Sequence, residues 1–343
     1  QCEREAARGG TASSSGLRFS REKKSGPLNA ANTVIKRTIS DDVESYMGTV
    51  AGVEIESIRA GRSVGPTSVA ACSSSRLTLT SSSIGFPMMN RTTLPDDAVL
   101  VAHIRSSSPG SRWCEIDLEP GMVIAYGPQA EHTALNAPGL AFTFAFLGFD
   151  QLLEGARELG IGVEIPEQGE VHALAPTGST ELIRQVFPAV DASLQQGECP
   201  SPSLADEVLR GAIHGLADHD RLRRIGTQHR IDSRRLVLLC IEYAESVRRI
   251  PSMSELCLAA HVSERRLRKA FVDEFDQPPS RFFRIWALNE AHRRLATDES
   301  GRINVTRVAT DLGFGHLGRF SGQYRSLYGE APSSTLHREG VGT

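Results

Sequence analysis

The sequence predicts an α+β protein of several domains: a β-rich N-terminal domain, a helical connector and an all-α C-terminal domain. Three observations support this prediction. Residues from about 45 to 148 form short apolar or alternating runs bounded by turn residues, which is typical of strands. After Phe149 the apolar spacing changes to i, i+3, i+4, which is typical of amphipathic helices. From residue 233 onward the pattern is helical throughout, in about seven short segments.

The domain boundaries follow from these changes in pattern. Residues 1–40 are predicted to be a disordered segment, because its first 32 residues are rich in Ser, Gly and charge and carry few apolar side chains. The β-rich domain then covers 41–160, the helical connector 161–227 and the all-α domain 228–338. The connector has apolar stripes that suit either dimerisation or packing against the chain's own β domain, and the sequence does not decide between them.

Alternating apolar and polar side chains define the strands of the β-rich domain. The pattern is clearest over 76–80 and 113–118, where one face is apolar and the other polar, and it predicts a sandwich or a small barrel. Phe142, Phe144 and Phe146 alternate along one strand and are expected in the core.

Composition excludes several classes of protein. No run of about 18 apolar residues exists and the first 30 residues lack the apolar segment of a signal peptide, so a cytoplasmic protein without membrane association is expected. The cysteines show neither C-x-x-C pairs nor histidines at metal-ligand spacing, which predicts free thiols and no zinc site. They are Cys2, Cys72, Cys114, Cys199, Cys240 and Cys257.

Charge is distributed unevenly between the predicted domains. Residues 233–338 carry 17 Lys and Arg against 12 Asp and Glu, whereas the rest of the chain carries 21 against 29. A basic, arginine-rich module joined to an acidic one suggests that only the C-terminal part faces a phosphate-bearing partner.

The stretch Gly313 to Gly318, GFGHLG, matches the G-x-G-x-x-G pattern of dinucleotide-binding loops. Such a loop must leave a strand and open the helix of a βαβ unit. Here the preceding residues, 304–312, have helical spacing, so the pattern indicates a helix, a turn at Gly313 and a second helix. In that arrangement Phe314 fills the space between the helices, and Phe320 and Tyr324 are buried at i, i+4.

The same arrangement occurs about 52 residues earlier. Ser252 to Glu255 form a capping box, Val262 fills the turn, and Ser263 caps a second helix that buries Leu267 and Phe271. Both copies continue alike, with Phe271, Phe275 and Pro279 matching Tyr324, Tyr328 and Pro332. The chain therefore contains a tandem repeat of a helix-turn-helix motif.

A linker helix over 280–296 joins the two motifs. Its seventeen residues span about 26 Å, enough to hold two recognition helices about one duplex turn apart. One monomer is therefore expected to contact two successive major-groove segments.

With these motifs, residues 233–338 resemble the DNA-binding domain of the AraC/XylS family of transcription regulators. One branch of this family contains the ethanolamine-utilisation regulator and activators of catabolic operons. The C-terminal tail is most similar to that branch, and its sequence is DLGFGHLGRFSGQYRSLYGEAPSSTLHRE. His261 departs from the pattern, since the family usually has glycine in this turn.

The resemblance places the base-reading face of the first recognition helix on Arg265, Arg268 and Lys269, which i, i+3, i+4 spacing puts on one face. In the second recognition helix the matching positions are Gly318, Ser321 and Gly322, which offer few side chains. The first motif is thus expected to carry sequence discrimination and the second mainly affinity. The predicted DNA contacts are Ser263, Arg265, Arg266, Arg268, Lys269, His316, Arg319, Ser321, Gln323 and Arg325.

In this family the N-terminal domain is commonly a cupin-like barrel that binds a small effector or dimerises. Residues 119–136 resemble a cupin strand-turn-strand, including His132 and Asn136. A cupin metal site also needs an upstream H-x-H with a carboxylate, and His103 is the only upstream histidine, so no metal or other cofactor is predicted. Trp113 and His132 are the candidate effector contacts; core packing for Trp113 and a hydrogen-bonded turn position for His132 are the alternatives.

The leading hypothesis is a sequence-specific DNA-binding regulator, most simply an effector-responsive activator of a catabolic operon, and not an enzyme. Its expected partners are promoter duplex DNA, RNA polymerase, a small-molecule effector and a second copy of the chain. Two alternatives are a cupin-type metal-dependent enzyme fused to a DNA-binding tail and a constitutive DNA-binding dimer without effector.

Overall fold

The computed structural model describes residues 34–337 apart from 41, 51–52, 75–76, 115, 130, 168–169, 175–177, 218–221, 226–227 and 299–302. Most of the segment predicted to be disordered, 1–33, lies outside the described residues. Its last part, Val34–Ser40, forms strand β1, so the prediction of disorder is wrong there. Those seven residues pair along their whole length with 67–73, a distant partner that local composition does not reveal.

Two antiparallel sheets make up the β-rich part of the chain. One has eight strands in the order β1-β3-β4-β11-β6-β9-β12-β13, and the other has five in the order β2-β5-β10-β7-β8. After β1 the strands are β2 Glu54–Arg59, β3 Thr67–Ser73, β4 Leu77–Ser83, β5 Met88–Thr93, β6 Ala98–Ser106, β7 Arg112–Trp113, β8 Ile116–Asp117, β9 Val123–Tyr126, β10 Glu131–Asn136, β11 Ala141–Gly148, β12 Val171–Leu174 and β13 Leu222–Ile225.

A shared apolar core fills the space between the two sheets. Trp113 comes from the five-stranded sheet, whereas Tyr126 and the alternating Phe142, Phe144 and Phe146 come from the eight-stranded sheet. This confirms that the three phenylalanines are core residues. Among the described strands no ladder closes the sheets on themselves, so the β-rich domain is confirmed and the cupin-like barrel is not.

The stretch 113–118, predicted as one alternating strand, is two short strands. Arg112–Trp113 (β7) and Ile116–Asp117 (β8) pair with each other across a turn. Cys114 lies in that turn with φ 46°, a left-handed conformation that a continuous strand does not contain. Alternation alone does not distinguish a strand from a tight hairpin of this length.

Helices cover the outer face of the eight-stranded sheet. They are α2 Phe149–Leu159, α3 Gly178–Gln195 and α4 Pro202–Leu216, while a short α1, Val43–Thr49, precedes β2. Ile183, Phe187, Val208 and Ile213 of α3 and α4 are buried against the outward side chains of this sheet. The apolar stripes of the connector therefore pack on the chain's own β domain, the second of the two alternatives that the sequence leaves open.

A disulfide and an ion pair fasten these helices to the sheet. Cys72 of β3 is joined to Cys199, which follows α3, so the prediction that all six cysteines are free thiols is wrong. The pair is 127 residues apart and no sequence spacing indicates it. Arg105 of β6 also contacts Asp191 of α3 at 2.8 Å.

The connector predicted to be helical also contains two strands. Val171–Leu174 (β12) pairs with β9, and Leu222–Ile225 (β13) pairs with β12, so both extend the eight-stranded sheet. A four-residue strand is too short for its periodicity to be recognised between two long helices. Most of the connector is thus part of the β-rich domain's own framework.

Seven helices form the C-terminal domain within the described residues, as the sequence predicts. They are α5 Gln228–Val247, α6 Met253–Ala260, α7 Glu264–Phe275, α8 Pro279–Ala296, α9 Val305–Asp311, α10 Leu317–Tyr328 and α11 Pro332–Leu336. Phe271, Phe283, Phe320 and Tyr324 are fully buried in their common core. In the described part of the chain, every helix is too short or too polar to cross a membrane.

Candidate nucleic-acid interface and effector cavity

The first helix-turn-helix consists of α6 and α7 and has the local structure that the sequence predicts. The capping box at Ser252 and Glu255 is formed in both directions. A hydrogen-bonded ion pair with Arg249, together with the Ser252 N–H, keeps the pKa of Glu255 well below its usual range. The turn residue His261 has φ 53°, a left-handed conformation that glycine adopts at lower cost.

The recognition helix α7 presents its cations to solvent. Leu267 and Phe271 are buried beneath it, while Arg265, Arg268 and Lys269 are exposed. Arg268 and Lys269 pair with Glu264 and Asp273 one turn away, both at 2.6 Å. Arg265 forms no ion pair within the described residues. Exposed pairs of this kind contribute only about 0–1 kcal/mol, so both cations exchange partners readily.

Ser263 and Arg266 complete the predicted contacts of the first motif. Both are exposed, and the Ser263 hydroxyl accepts the Arg266 N–H at 3.4 Å, which caps α7. The capping serine keeps its own hydroxyl proton, which is available to a phosphate oxygen at the N-terminus of the helix.

The second helix-turn-helix consists of α9 and α10. Gly313 turns the chain with φ 90°, and the Phe314 ring packs on Phe320 at 4.8 Å between centroids, as predicted. Along α10 an added Cβ at Gly318 or Gly322 meets no atom within 4 Å, so this face is open and carries little side chain. The polar side chains on or beside it are His316, Arg319 and Arg325, which are exposed, and Ser321 and Gln323, which are half-buried.

Helix α8 joins the two motifs through side-chain contacts. His292 of α8 stacks on Tyr328 of α10 at 4.0 Å between centroids, and its Nδ1 lies 2.7 Å from the Tyr324 hydroxyl. Phe282 and Phe283 at the other end of α8 pack on Phe271 of α7. The eighteen residues of α8 span about 27 Å.

Comparison with known proteins bears on this domain. A family model described as "Helix-turn-helix domain" matches residues 256–338. The "XylDLEGF operon transcriptional activator 2" of Pseudomonas putida is 37% identical over 92 residues, 27% of this chain and 59% of that protein. The chain carries an AraC/XylS-family DNA-binding domain.

Two further relatives extend the comparison with the AraC/XylS family. The "XylDLEGF operon transcriptional activator 1" of P. putida is 36% identical over 94 residues, 27% of this chain and 28% of that protein. The "Probable thc operon regulatory protein" of Rhodococcus erythropolis is 29% identical over 102 residues, 29% of this chain and 31% of that protein. The matches thus span 59% or less of each of these relatives.

Solved structures also resemble the chain, but weakly. The AraC-like transcriptional activator CuxR aligns with 69% of this chain and 88% of its own at 14% identity and a TM-score of 0.39. ToxT from Vibrio cholerae O395 aligns with 84% of this chain and 99% of its own at 10% identity and a TM-score of 0.28. TM-scores this low support no conclusion about the AraC/XylS-family domain or its neighbour.

A cavity lies between the two sheets of the β-rich domain, and both predicted effector residues line it. It holds about 420 Å³ of atom-free space, part of which is open to solvent. Trp113 and His132 both face this space, and Tyr126 stacks on the His132 ring at 4.5 Å between centroids. Burial, and next the charge of Arg234, lowers the pKa of His132 to about 3, so its ring is neutral at physiological pH.

The two histidines considered for a cupin-like metal site lie on opposite sides of the eight-stranded sheet. His132 faces the cavity, whereas His103 of β6 stacks on Phe187 of α3, outside the eight-stranded sheet. Burial, with Arg184 and Arg105 nearby, lowers the pKa of His103 to about 4. Among the described residues no group of three His, Cys, Asp or Glu side chains is placed to hold a metal ion.

The five-stranded sheet is a wall shared by the cavity and the DNA-binding domain. On β10, His132 lines the cavity, while the adjacent Thr133 faces the helices and donates a hydrogen bond to Glu274 of α7 at 2.6 Å. On β5, Asn90 lines the cavity and the adjacent Met89 packs in the helical core. The alternation of side chains along a strand thus places residues that line the cavity and residues that contact the helical domain one position apart.

Further contacts hold the helical domain against this wall. The Asn289 amide of α8 makes two hydrogen bonds to the backbone of Arg59 in β2, at 2.8 and 2.9 Å. The Arg59 guanidinium lies over the Tyr328 ring at 5.5 Å. Glu274 is also 3.9 Å from Arg234 of α5, and its side chain is fully buried.

Sequence reasoning did not identify Asn90, Tyr126, Thr133 or Glu274. Their roles depend on which strand neighbours which, and strand order is not a local property. Glu274 carried one usable signal, since an acidic residue on the apolar side of a helix indicates a buried partner.

Proposed function

We propose that the chain is a sequence-specific DNA-binding transcription regulator, an effector-responsive activator of a catabolic operon. The observation that carries this proposal is the pair of helix-turn-helix motifs joined by the continuous helix α8. Arg265, Arg268 and Lys269 are exposed on the first recognition helix. Relatives of this domain are named as operon activators and regulators, which favours a regulator over an enzyme.

The two motifs divide the work of binding. Arginine and lysine on α7 suit guanine O6 and N7 in the major groove. The open glycine face of α10 lets the duplex approach closely but offers few groups to base edges, so its Arg319 and Arg325 serve phosphates. The first motif then sets sequence preference, and the second adds affinity.

The shared wall supports effector control. A ligand in the cavity contacts the inner face of β10, and the outer face of the same strand holds Glu274 on the first recognition helix. An effector that favours one position of β10 shifts how α7 is presented to DNA, provided that it binds the two arrangements with different affinity. The effector also distinguishes this proposal from a constitutive DNA-binding dimer.

The finer features of the proposal extend this core. The β-rich domain is taken as a cupin-like sensor, and the protein as a cytoplasmic partner of promoter DNA and RNA polymerase. Dimerisation uses surfaces other than the apolar faces of α3 and α4, because these faces are buried against the eight-stranded sheet. The metal-dependent enzyme loses support because His103 and His132 lie on opposite sides of the eight-stranded sheet.

Footprinting of the full chain on its own upstream DNA tests the proposal. Protection of two adjacent major-groove segments on one face of the duplex is expected, and loss of only one segment with Arg265→Ala. Arg157→Ala, an exposed arginine on α2, is the matched control and leaves both segments protected. Equal protection along random duplex contradicts the proposal.

A further inference from the structure

The cavity between the sheets has an uncharged lining. Its walls are mostly apolar and aromatic, with Trp113, Phe142 and Phe144 among them, and none of its lining residues is Lys, Arg, Asp or Glu. Arg234 is the cation whose charge acts on His132, but it lies on α5, on the other side of β10, and is 3.9 Å from Glu274. An ion entering this space loses its hydration without gaining an opposite charge, which costs several kcal/mol.

Apart from the Tyr126 hydroxyl and Asn90 Oδ1, one polar atom in this lining lacks a hydrogen-bond partner among the described residues. It is His132 Nδ1, and this residue is less than 9% exposed. By contrast, the Trp113 N–H already donates to Asn136 Oδ1 at 2.8 Å, so this pair needs no ligand. The Asn90 amide has the buried Tyr46 hydroxyl beside it as a hydrogen-bond partner, so this side chain needs no ligand either. Buried polar atoms in proteins nearly always have a partner, so His132 Nδ1 marks where a bound molecule presents a polar group.

The chemistry of the His132 ring defines the ligand further. The neutral His132 ring has one nitrogen without a proton, which accepts a hydrogen bond from an O–H or N–H of the ligand. The Tyr126 hydroxyl places no such demand, because the Cys114 side chain lies beside it. The aromatic walls suit a flat apolar body.

We propose that the cavity binds a small uncharged molecule with a flat apolar body and an O–H or N–H group, such as an aromatic amide or alcohol, and that it rejects the corresponding carboxylate. This proposal rests on the effector-responsive function proposed above and names the chemical class of the effector.

Benzamide and benzoate are matched probes, because they have nearly the same shape and differ in charge. Titration of the full chain with each, followed by calorimetry and by tryptophan fluorescence, tests the proposal at neutral pH. Trp113 lines the cavity and Trp286, the second tryptophan, lies in the helical core, so Trp286→Phe leaves a reporter at the site. Benzamide is expected to bind at least about a hundredfold more tightly than benzoate.

Two histidine variants show where the probe binds. His132→Phe keeps the ring on Tyr126 but removes the nitrogen, and is expected to weaken benzamide binding about fivefold, the effect of one hydrogen bond. His103→Phe is the matched control, since this buried histidine stacks on Phe187 on the other side of the sheet, and leaves benzamide affinity unchanged. Unfolding curves of both variants establish that they are folded.

The outcomes separate the two proposals. Binding of benzoate as tight as that of benzamide, binding of neither probe, or benzamide affinity unaffected by His132→Phe overturns the ligand class. DNA binding is measured on the same preparations without probe. Preference for the upstream DNA with no benzamide binding overturns only the ligand class, whereas benzamide binding without DNA preference overturns the proposed function and leaves the ligand class standing.

Discussion

The hydrogen bond from Thr133 to Glu274 joins the shared wall to the first recognition helix, and Thr133→Val removes it with little change of shape. The contact is 2.6 Å long and both residues are buried. A hydrogen bond to an ionised group contributes about 1.5–3 kcal/mol. We therefore expect Thr133→Val to lower the free energy of unfolding by about 2 kcal/mol.

Glu274→Gln keeps an acceptor for Thr133 but removes the charge. The hydrogen bond is then between neutral groups and contributes about 1 kcal/mol, so Thr133→Val costs about 1 kcal/mol less in the Glu274→Gln background. The double-mutant cycle is thus expected to give a coupling energy of about 1 kcal/mol. The loss of the contact with Arg234 does not enter this coupling, because it occurs in both variants that carry Glu274→Gln.

Urea unfolding followed by the fluorescence of Trp286 measures these energies in the helical domain. Trp113→Phe removes the signal of the other domain, and Thr133→Ser, which keeps the hydroxyl, is the control. If Thr133→Val costs no more than Thr133→Ser, or if the two changes add within about 0.3–0.5 kcal/mol, the reasoning from this contact is refuted.

Three further predictions concern other sites. His261→Gly is expected to raise the free energy of unfolding by about 0.5–1 kcal/mol. Glycine relieves the strain of the left-handed conformation, about 1–2 kcal/mol, and this gain exceeds the cost of its extra backbone entropy, about 0.5–1 kcal/mol. Gly313→Ala in the equivalent turn lowers it by about 1 kcal/mol, and equal signs in urea unfolding would contradict the account of the turns. His132 has a pKa of about 3 in the folded protein and about 6.5 when unfolded, so stability present above pH 6.5 is lost as pH falls towards 3, at about 1.4 kcal/mol per pH unit. His132→Phe lacks this loss, so the difference in free energy of unfolding between the wild type and this variant falls as the pH drops below 6.5; identical pH profiles of the two proteins count against the burial argument. Arg265→Ala is expected to reduce the free energy of specific DNA binding by about 1–3 kcal/mol and to relax the preference at one base pair. Arg325→Ala is expected to weaken binding to all duplexes alike and to lower the slope of log affinity against log salt concentration by about 1. The reverse pattern would exchange the roles of the two motifs.

The helical domain was predictable because its signals are local. Capping by Ser252 and Ser263, the turn at Gly313 and the buried Phe271 and Tyr324 each depend on residues within a few positions of one another. The same signals recur at an offset of about 52 residues, which favours a tandem repeat of one motif over two unrelated chance matches. His261 is a position where the motif is kept although the residue is locally unfavourable.

The β-rich domain was predictable in class but not in arrangement. Alternation indicated most strands, yet it gave neither their order nor the division into two sheets, since both depend on pairing between distant residues. The same limit hid the bond between Cys72 and Cys199 and the role of the five-stranded sheet as a shared wall. Trp113 and His132, the two effector candidates that the sequence indicates, both line the cavity.

The most direct test is the ratio of affinities of the full chain for its own upstream duplex and for a random duplex of the same length, measured by fluorescence anisotropy over a salt series. A specific regulator gives a ratio of at least about a thousand, and both affinities fall steeply with salt. Arg265→Ala is expected to reduce this ratio, and Arg157→Ala to leave it unchanged. Equal affinity for the two duplexes at every salt concentration would contradict sequence-specific regulation by this protein.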